Sequence, residues 1–268
     1  MAEFAAPRKA LGQNFLQDPN IIRKIVDSLA VKSSDTVLEI GPGRGALTEL
    51  LLPLAGQLHL VEFDRDLVRY WESRTETNLT VHGIDILQFD LAPVLSHGGA
   101  VKVIGNLPYN ISSPVLFHLL QYAEHIATQV VMLQKEVVDR MAAQPGSKQY
   151  GRLSVMLQQR YQIESLFTVP ATAFFPPPKV ESAIARLTPL QRIDHPVTRH
   201  ADFEAIVKQA FSMRRKTLRN NLKSMLSVEQ ISALEIDPGA RAETLSVGEF
   251  ATLANAFTAA QSETRSKA

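Results

Sequence analysis

The sequence predicts an α/β fold with a mostly parallel sheet, followed by a small all-α domain. Short β-rich runs alternate with helical patterns from residue 36 to residue 133, whereas only helical patterns follow Pro189. Strands that alternate with helices form parallel sheets through right-handed crossovers. We therefore expect a first domain over residues 1–190 and a second domain over residues 191–268.

Five β-type runs form the predicted parallel part of the sheet, and helical patterns separate them. They cover residues 36–41, 58–62, 79–81, 101–105 and 129–133. Two further runs, residues 165–169 and 180–187, have no helical pattern between them. We expect these two runs to form an antiparallel hairpin at one edge of the sheet.

The second domain is predicted to follow a polar linker at residues 191–200. Its helical patterns cover residues 202–215, 217–226, 228–234 and 247–260. Asp202 is the expected N-cap of the first of these helices. Ser227, with Gln230 three residues later, fits a capping box at the start of the third.

Composition excludes several classes of protein. The chain has 268 residues, no cysteine, seven histidines without metal-binding spacing, and a net charge of +1. Disulfides and thiolate metal ligands are therefore excluded, and we expect no metal site. No apolar run of 18 residues occurs, and the start lacks the apolar core of a signal peptide. We expect a cytoplasmic protein and, because no heptad seam is visible, a monomer.

A glycine turn follows the first predicted strand of the sheet. The pattern G-x-G-x-x-A beginning at Gly41 fits a dinucleotide fingerprint, with Glu62 placed 21 residues later to bind ribose hydroxyls. The same stretch, with Gly41, Gly43 and Gly45, equally suits S-adenosylmethionine. The adenine of that cofactor needs a hydrogen-bond acceptor, which Asp85 can supply unless it only caps a helix. The turn alone leaves both cofactors open.

The segment Asn106-Leu107-Pro108-Tyr109 follows the fourth predicted strand. An amide oxygen and a phenol ring at one strand end suit a flat heterocycle that carries an amino group, such as adenine. An ordinary turn closed by Asn and Pro is the alternative interpretation.

Phe174 and Phe175 precede three prolines, which stiffen the segment and cannot donate to a sheet ladder. A core position is the ordinary expectation for a phenylalanine such as Phe174. The prolines favour a rigid loop that holds the aromatic pair, where Phe174 can stack on a base. Phe175 is expected to be the core residue of the pair.

Basic residues cluster in the second domain. Arg215, Arg219 and Lys223 recur every four residues, and Arg214 and Lys216 flank the first of them. On a helix this spacing forms one basic face, which is often merely solvated. In a separate helical domain it favours contact with nucleic-acid phosphates.

Several segments, taken together, resemble the ribosomal small-subunit (16S) RNA adenine dimethyltransferase family, to which the bacterial kasugamycin-resistance dimethylase belongs. The similarity runs in order from Lys9 to about Phe257. The segments are Gly12-Gln-Asn-Phe-Leu16, Glu39-Ile-Gly-Pro-Gly-Arg-Gly45, Asn106-Leu-Pro-Tyr-Asn-Ile-Ser112, Gln134-Lys-Glu-Val137, Tyr150-Gly-Arg-Leu-Ser-Val155 and Phe174-x-Pro-Pro-Pro-Lys-Val180.

The resemblance implies a seven-stranded, Rossmann-like methyltransferase domain that binds S-adenosylmethionine. The implied substrate is two neighbouring adenosines near the 3′ end of 16S ribosomal RNA, each methylated twice on N6 within an assembling 30S subunit. The expected cofactor residues, including Gly43 of the turn, are Gln13, Asn14, Leu16, Gly41, Gly43, Glu62, Asp85 and Asn106.

For catalysis, we expect the Asn106 side chain and a backbone carbonyl of Leu107 or Pro108 to accept the two amino hydrogens of the adenine. Tyr109 and Phe174 would hold the flipped base between their rings. Two other functions stay open at this point. One is an adenine N6-methyltransferase that acts on DNA, and the other is a non-enzymatic assembly or transcription factor on the same fold.

Overall fold

The computed structural model describes residues 13–96 and 99–266, which form two compact units. The first unit contains residues 13–138 and 162–189, and the second contains residues 139–161 and 190–266. The chain passes from the first unit to the second after Pro189. Residues 139–161, however, belong to the second unit, although the sequence placed them in the first domain.

The chain forms nine described strands and eleven described α-helices. The strands are β1 Phe15–Leu16, β2 Thr36–Ile40, β3 Gln57–Val61, β4 Leu79–His82, β5 Val101–Asn106, β6 Ile126–Gln134, β7 Tyr161–Val169, β8 Phe174–Phe175 and β9 Ser182–Pro189. The helices are α1 Pro19–Leu29, α2 Thr48–Leu51, α3 Arg65–Glu72, α4 Ala92–Leu95, α5 Ser112–Leu120, α6 Lys135–Met141, α7 Arg152–Gln158, α8 His200–Ala210, α9 Leu218–Asn221, α10 Val228–Ala233 and α11 Val247–Ser266.

Seven strands form the main sheet, in the order β4-β3-β2-β5-β6-β9-β7. The neighbours from β4 to β6 are parallel, and β9 is antiparallel to β6. The predicted fold class is therefore confirmed. The sequence did not predict the separate antiparallel pair of β1 and β8, in which Phe15 lies opposite Phe175 and Leu16 opposite Phe174.

The parallel strands β2 and β5 approach closely at the centre of the sheet. A Cβ atom on Gly105 of β5 would lie 2.6 Å from the carbonyl oxygen of Ile40 in β2. Only glycine fits at this position without a shift of the backbone. The close approach brings the carboxyl ends of β2 and β5 together, and ligand sites of open α/β sheets lie at such ends.

The helices of the second unit differ from the prediction at two places. Helix α8 ends at Ala210, and α9 is only four residues long, so the predicted helices 202–215 and 217–226 are too long. The buried Asn221 side chain donates hydrogen bonds to the carbonyls of Ala210, at 2.6 Å, and Met213, at 3.1 Å. These bonds stabilise a non-helical turn between the two helices.

The predicted helix caps have different outcomes. Asp202 is not an N-cap, because α8 begins at His200; its buried carboxylate instead accepts a hydrogen bond from the Thr258 hydroxyl at 2.7 Å. The capping box is confirmed: the side chain of Ser227 accepts from the Gln230 N–H, and the side chain of Gln230 accepts from the Ser227 N–H. No helix in the described ranges is long and apolar enough to cross a membrane.

Strand β2 carries an acid inside a fully buried strand. Glu39 is 1% exposed. Burial, together with the nearby negative charges of Glu62 and Glu49, raises the pKa of the Glu39 carboxyl from its ordinary 4.5 to about 8. The folded protein therefore holds a neutral Glu39 at neutral pH.

We predict that Glu39→Gln reduces the pH dependence of stability between about pH 5 and pH 8. The folded chain keeps the proton that the unfolded chain loses above pH 4.5, so this contribution is complete below 4.5 and is lost as the pH rises towards 8. The difference between variant and wild type is expected to change by about 1 kcal/mol per pH unit. Urea unfolding at several pH values, with the exposed Glu72→Gln as the control, measures it. Parallel curves for wild type and Glu39→Gln would contradict the prediction.

Candidate active site

A cleft of about 270 Å³ lies in the first unit, at the carboxyl ends of β2, β3 and β5. The segment around β1 closes one side of it. All eight expected cofactor residues line this cleft, together with Leu107, Pro108 and Tyr109 of the expected catalytic set. The structure thus brings together residues that are up to 96 positions apart in the chain.

The glycine turn forms one wall of the cleft. Gly41, Gly43 and Gly45 all have positive φ angles, of +66°, +55° and +90°. A Cβ atom on Gly45 would lie 2.8 Å from the ring of Trp71, whose Nε1 donates to the carbonyl of Gly43 at 3.0 Å. Trp71 therefore packs against the turn without lining the cleft, whereas Gly41 and Gly43 of the turn do line it.

Glu62 lies in a cradle of backbone N–H groups. One carboxylate oxygen accepts from Phe63 and Asp64, at 2.8 and 2.9 Å, and the other accepts from Gly43 at 3.2 Å. Burial raises the pKa of Glu62, while the three N–H donors oppose this shift because they favour the charged form. The cradle fixes the carboxylate at the end of β3, where it faces the cleft.

The segment that precedes β1 is tied to the end of β3. Gln13 Nε2 donates to the buried Asp64 carboxylate at 3.0 Å, and the same carboxylate caps α3 through the N–H of Asp66. The N-cap of α1 is Asp18, which accepts from the N–H groups of Asn20 and Ile21. Gln13 is thus part of the cleft wall.

Asn106 ends β5 with its amide group directed by a single contact. Its Nδ2 donates to the backbone carbonyl of Asn14 at 3.0 Å. Its Oδ1 accepts no hydrogen bond from the residues that the structure describes. One of the two N–H donors of the amide is therefore used by the protein, and the Oδ1 acceptor belongs to a residue that lines the cleft.

The two backbone carbonyls that follow Asn106 are not equivalent. The Pro108 carbonyl accepts from the Ile111 N–H and the Ser112 hydroxyl, both at 3.1 Å. The Leu107 carbonyl accepts from no described residue, although the Leu107 N–H donates to Met132 at 3.1 Å. Of the two predicted acceptors, Leu107 is thus the one that the turn leaves available.

The Tyr109 ring lines the cleft, and its hydroxyl is hydrogen-bonded to the buried Ser182 Oγ at 2.6 Å. Burial raises the pKa of the Tyr109 phenol, so the hydroxyl stays neutral at neutral pH. Fixed at both ends, the ring has a defined orientation at the edge of the cleft.

The expected exposure of Phe174 and burial of Phe175 are wrong. Phe174 is 4% exposed and packs in the hydrophobic core, outside the cleft lining, whereas Phe175 is 52% exposed. Successive side chains of a strand point to opposite faces. Phe174 pairs with the core residue Leu16, and this pairing fixes which of the two rings is buried. The prolines stiffen the loop but do not select the face.

Asp85 both caps a helical turn and lines the cleft, the two alternatives that the sequence left open. Its Oδ1 accepts from the Leu87 N–H at 3.0 Å, which caps a short 3₁₀ turn at Ile86–Gln88. It also lines the cleft. The capping bond orients the carboxylate without excluding a ligand contact.

Phe63, Ile84, Arg44 and Glu39 are among the residues that line the cleft and that sequence reasoning missed. Phe63 and Ile84 are large apolar side chains, 62% and 36% exposed, at the ends of β3 and β4. The Arg44 guanidinium lies 4.4 Å from the centre of the Phe15 ring, and Glu39 lies beneath the glycine turn. An apolar residue directly after the ribose-binding acid was the available signal for Phe63.

Within the described ranges, no three potential metal ligands cluster together.

The basic residues of the second unit are exposed, but they do not share one helical face. Arg214, Arg215 and Lys216 lie in the non-helical segment after α8, and Lys223 follows the end of α9. The predicted continuous helix is therefore wrong, because α8 stops at Ala210. Arg219 is the one member of the set within a helix. Arg214 also donates to the carbonyl of Lys148 and lies 3.8 Å from the Glu243 carboxylate.

Comparison with solved structures shows similarity over most of the chain. A dimethyladenosine transferase from Plasmodium falciparum is 26% identical, with a TM-score of 0.76, over 89% of this chain and 95% of that one. The 23S rRNA methyltransferase ErmE is 25% identical, with a TM-score of 0.70, over 91% of this chain and 100% of that one.

Comparison by sequence gives higher identities than the comparison with solved structures. Ribosomal RNA small subunit methyltransferase A of Aromatoleum aromaticum is 50% identical over 95% of each chain. The protein of the same name from Pseudomonas aeruginosa is 48% identical over 92% of this chain and 93% of its own. The family model described as ribosomal RNA adenine dimethylase matches residues 5–259. With the methyltransferase sheet and the cleft described above, these matches show that the chain belongs to the ribosomal RNA adenine dimethylase family.

Proposed function

We propose that the protein is an S-adenosylmethionine-dependent dimethyltransferase of ribosomal RNA. Its substrate would be two neighbouring adenosines near the 3′ end of 16S RNA in the assembling 30S subunit, each methylated twice on N6. One observation carries the proposal: Asn106 and Leu107 both line a cleft that also holds the glycine turn and Glu62, and Asn106 Oδ1 and the Leu107 carbonyl accept no hydrogen bond from the described residues. A monomeric, cytoplasmic protein is part of this proposal.

The cleft residues fit S-adenosylmethionine. The Glu62 carboxylate is positioned to accept the ribose hydroxyls, and the turn at Gly41 allows a ligand to approach the backbone. Phe63 and Ile84 offer apolar surface to a purine, and Asp85 offers an acceptor to its amino group. When bound, the cofactor supplies a sulfonium methyl group, which is already a strong electrophile.

The residues of the protein must act on the adenine nitrogen, because its lone pair is delocalised into the ring. In the first transfer, Asn106 Oδ1 and the Leu107 carbonyl would accept the two amino hydrogens and favour a pyramidal nitrogen whose lone pair points at the methyl group. In the second transfer, the one remaining hydrogen would bind one of these two acceptors. The same acceptors stabilise the positive charge that develops on the nitrogen. The Tyr109 face holds the base and favours a cation by roughly 0.5–2 kcal/mol. Because the product loses its proton after transfer, no base with a tuned pKa is needed.

Phe174 would support this site from beneath. Its ring packs under β1, the strand that carries Leu16 and follows Gln13 and Asn14. In the described geometry it positions the wall of the cleft. Direct stacking on the target base is therefore assigned to Tyr109 alone.

Mass spectrometry of the 16S 3′ region tests the proposed activity. Unmethylated 30S subunits are incubated with the protein and S-adenosylmethionine, and duplex DNA is offered in a parallel reaction. We expect two dimethyladenosines in the RNA and no methyl group in the DNA. Methylated DNA would support the DNA methyltransferase instead, and two unmodified substrates would support a non-enzymatic role.

We predict that Asn106→Ala lowers turnover at least tenfold while the affinity for the methyl donor changes little. A lost charge-stabilising group typically costs a few kcal/mol in the transition state. Asn110→Ala is the matched control, because Asn110 lies in the same turn, lines the same cleft and is exposed. Single-turnover kinetics and donor titration measure the two quantities. Near-normal turnover in Asn106→Ala would remove this residue from the mechanism.

We predict that replacing Arg215, Arg219 and Lys223 together by Gln weakens binding to 30S subunits and flattens its dependence on salt. Each phosphate contact that is lost reduces the slope of log affinity against log salt by about 0.7–0.9.

The control for this triple variant removes the same charge elsewhere in the second unit. Arg192, Lys208 and Arg241 are also exposed, and they are replaced by Gln. Binding is measured at several salt concentrations. Equal slopes for the two triple variants would exclude a specific phosphate contact at the first set.

A further inference from the structure

We propose that the proline loop, residues 175–180, binds the RNA nucleotide next to the adenosine that is being methylated. Phe175 would stack on its base, and Lys179 would contact a phosphate. This inference rests on the proposed function and extends it to a part of the RNA that the cleft itself does not hold.

The first end of the loop lies beside the cleft. Phe175 is opposite Phe15 in the antiparallel pair of β1 and β8, so the two side chains project from the same face. Phe15 lines the cleft, and the preceding residue, Asn14, binds Asn106. The standard spacings of an antiparallel pair put the Cα atom of Phe175 within about 11 Å of the Asn106 amide nitrogen.

The second end of the loop is fixed at another cleft residue. Ser182, two positions after Val180, is hydrogen-bonded to the Tyr109 hydroxyl at 2.6 Å. The Glu181 carbonyl accepts from the Lys135 N–H at 2.9 Å. The two ends of the loop are therefore held at cleft residues, one at Phe15 and the other at Tyr109, the residue that would stack on the target base.

The exposed side chains of the loop suit single-stranded RNA. Phe175 is 52% exposed, Val180 is 46% exposed and Lys179 is also exposed. Lys179 forms no ion pair with the residues that the structure describes. Proteins bind single strands by combining aromatic platforms for the bases with positive charge for the backbone. A lone exposed aromatic would need no explanation. Here, however, the exposed aromatic and an exposed cation belong to one short segment whose two ends are held at cleft residues.

The three prolines, Pro176 to Pro178, add rigidity between Phe175 and Lys179. Proline fixes φ and offers no N–H group that a neighbouring strand could bind. A surface that is already ordered loses less entropy when it binds a ligand. The loop therefore has the properties of a preformed platform for a nucleotide.

The first test compares Phe175→Ala, Phe175→Trp and the control Leu54→Ala in the whole chain. Leu54 is an exposed apolar residue of the first unit, 44% exposed, and lies outside both the loop and the cleft lining. We expect Phe175→Ala to raise KM for unmethylated 30S subunits at least fivefold, with kcat and donor affinity within twofold of wild type. Phe175→Trp should restore KM because it keeps a stacking face, and Leu54→Ala should leave KM within twofold. An unchanged KM in Phe175→Ala would overturn the proposal. So would a loss of donor affinity or thermal stability, which would show that Phe175 only supports β1.

The second test does not depend on methyl transfer. A short single-stranded RNA rich in adenosine carries 2-aminopurine, whose fluorescence falls when the base stacks. Wild type and Phe175→Trp should quench it at low salt, and Phe175→Ala should quench it less. Equal quenching by wild type and Phe175→Ala overturns the proposal, whereas failed methyl transfer by wild type overturns only the proposed function. A dimer in wild type that Phe175→Ala disrupts would assign the loop to self-association instead.

Discussion

The hydrogen bond from the Asn106 amide nitrogen to the Asn14 carbonyl is the contact on which the candidate site depends. It joins residues 92 positions apart and ties the short β1–β8 pair to the end of the central strand β5. A neutral hydrogen bond contributes only about 1 kcal/mol to stability. Its larger effect is on orientation: it uses one N–H donor of the amide, and it leaves Oδ1 for the amino group that we propose it binds together with the Leu107 carbonyl.

Two buried acids of adjacent strands have different roles because their surroundings differ. Glu62 lies at the end of β3 among three N–H donors, which favour its charged form. Glu39 lies within β2, where its Oε2 has no hydrogen-bond partner among the described atoms and the pKa of the carboxyl is about 8. The cleft thus presents one carboxylate to a ligand and keeps a neutral acid beneath the glycine turn.

The sequence predicted what local patterns encode. Alternating strands and helices predicted the sheet, and the glycine turn with Glu62 predicted a site for a nucleotide-like cofactor. The full set of expected cofactor residues came from the resemblance to a known family. Register is not a local property: the two-residue strands β1 and β8 carry no periodic signal, so the burial of Phe174 could not be inferred. The end of α8 is likewise set by the side chain of Asn221, which lies 11 residues beyond Ala210. The placement of residues 139–161 in the second unit also depends on contacts distant in the chain.

The most direct test of the central claim is a crystal structure of the protein with S-adenosylhomocysteine and an adenosine nucleotide. The account predicts the adenine amino nitrogen within about 3 Å of both Asn106 Oδ1 and the Leu107 carbonyl, with the Asn106–Asn14 hydrogen bond retained. An adenine bound in the cleft with its amino group away from these two oxygens would contradict it.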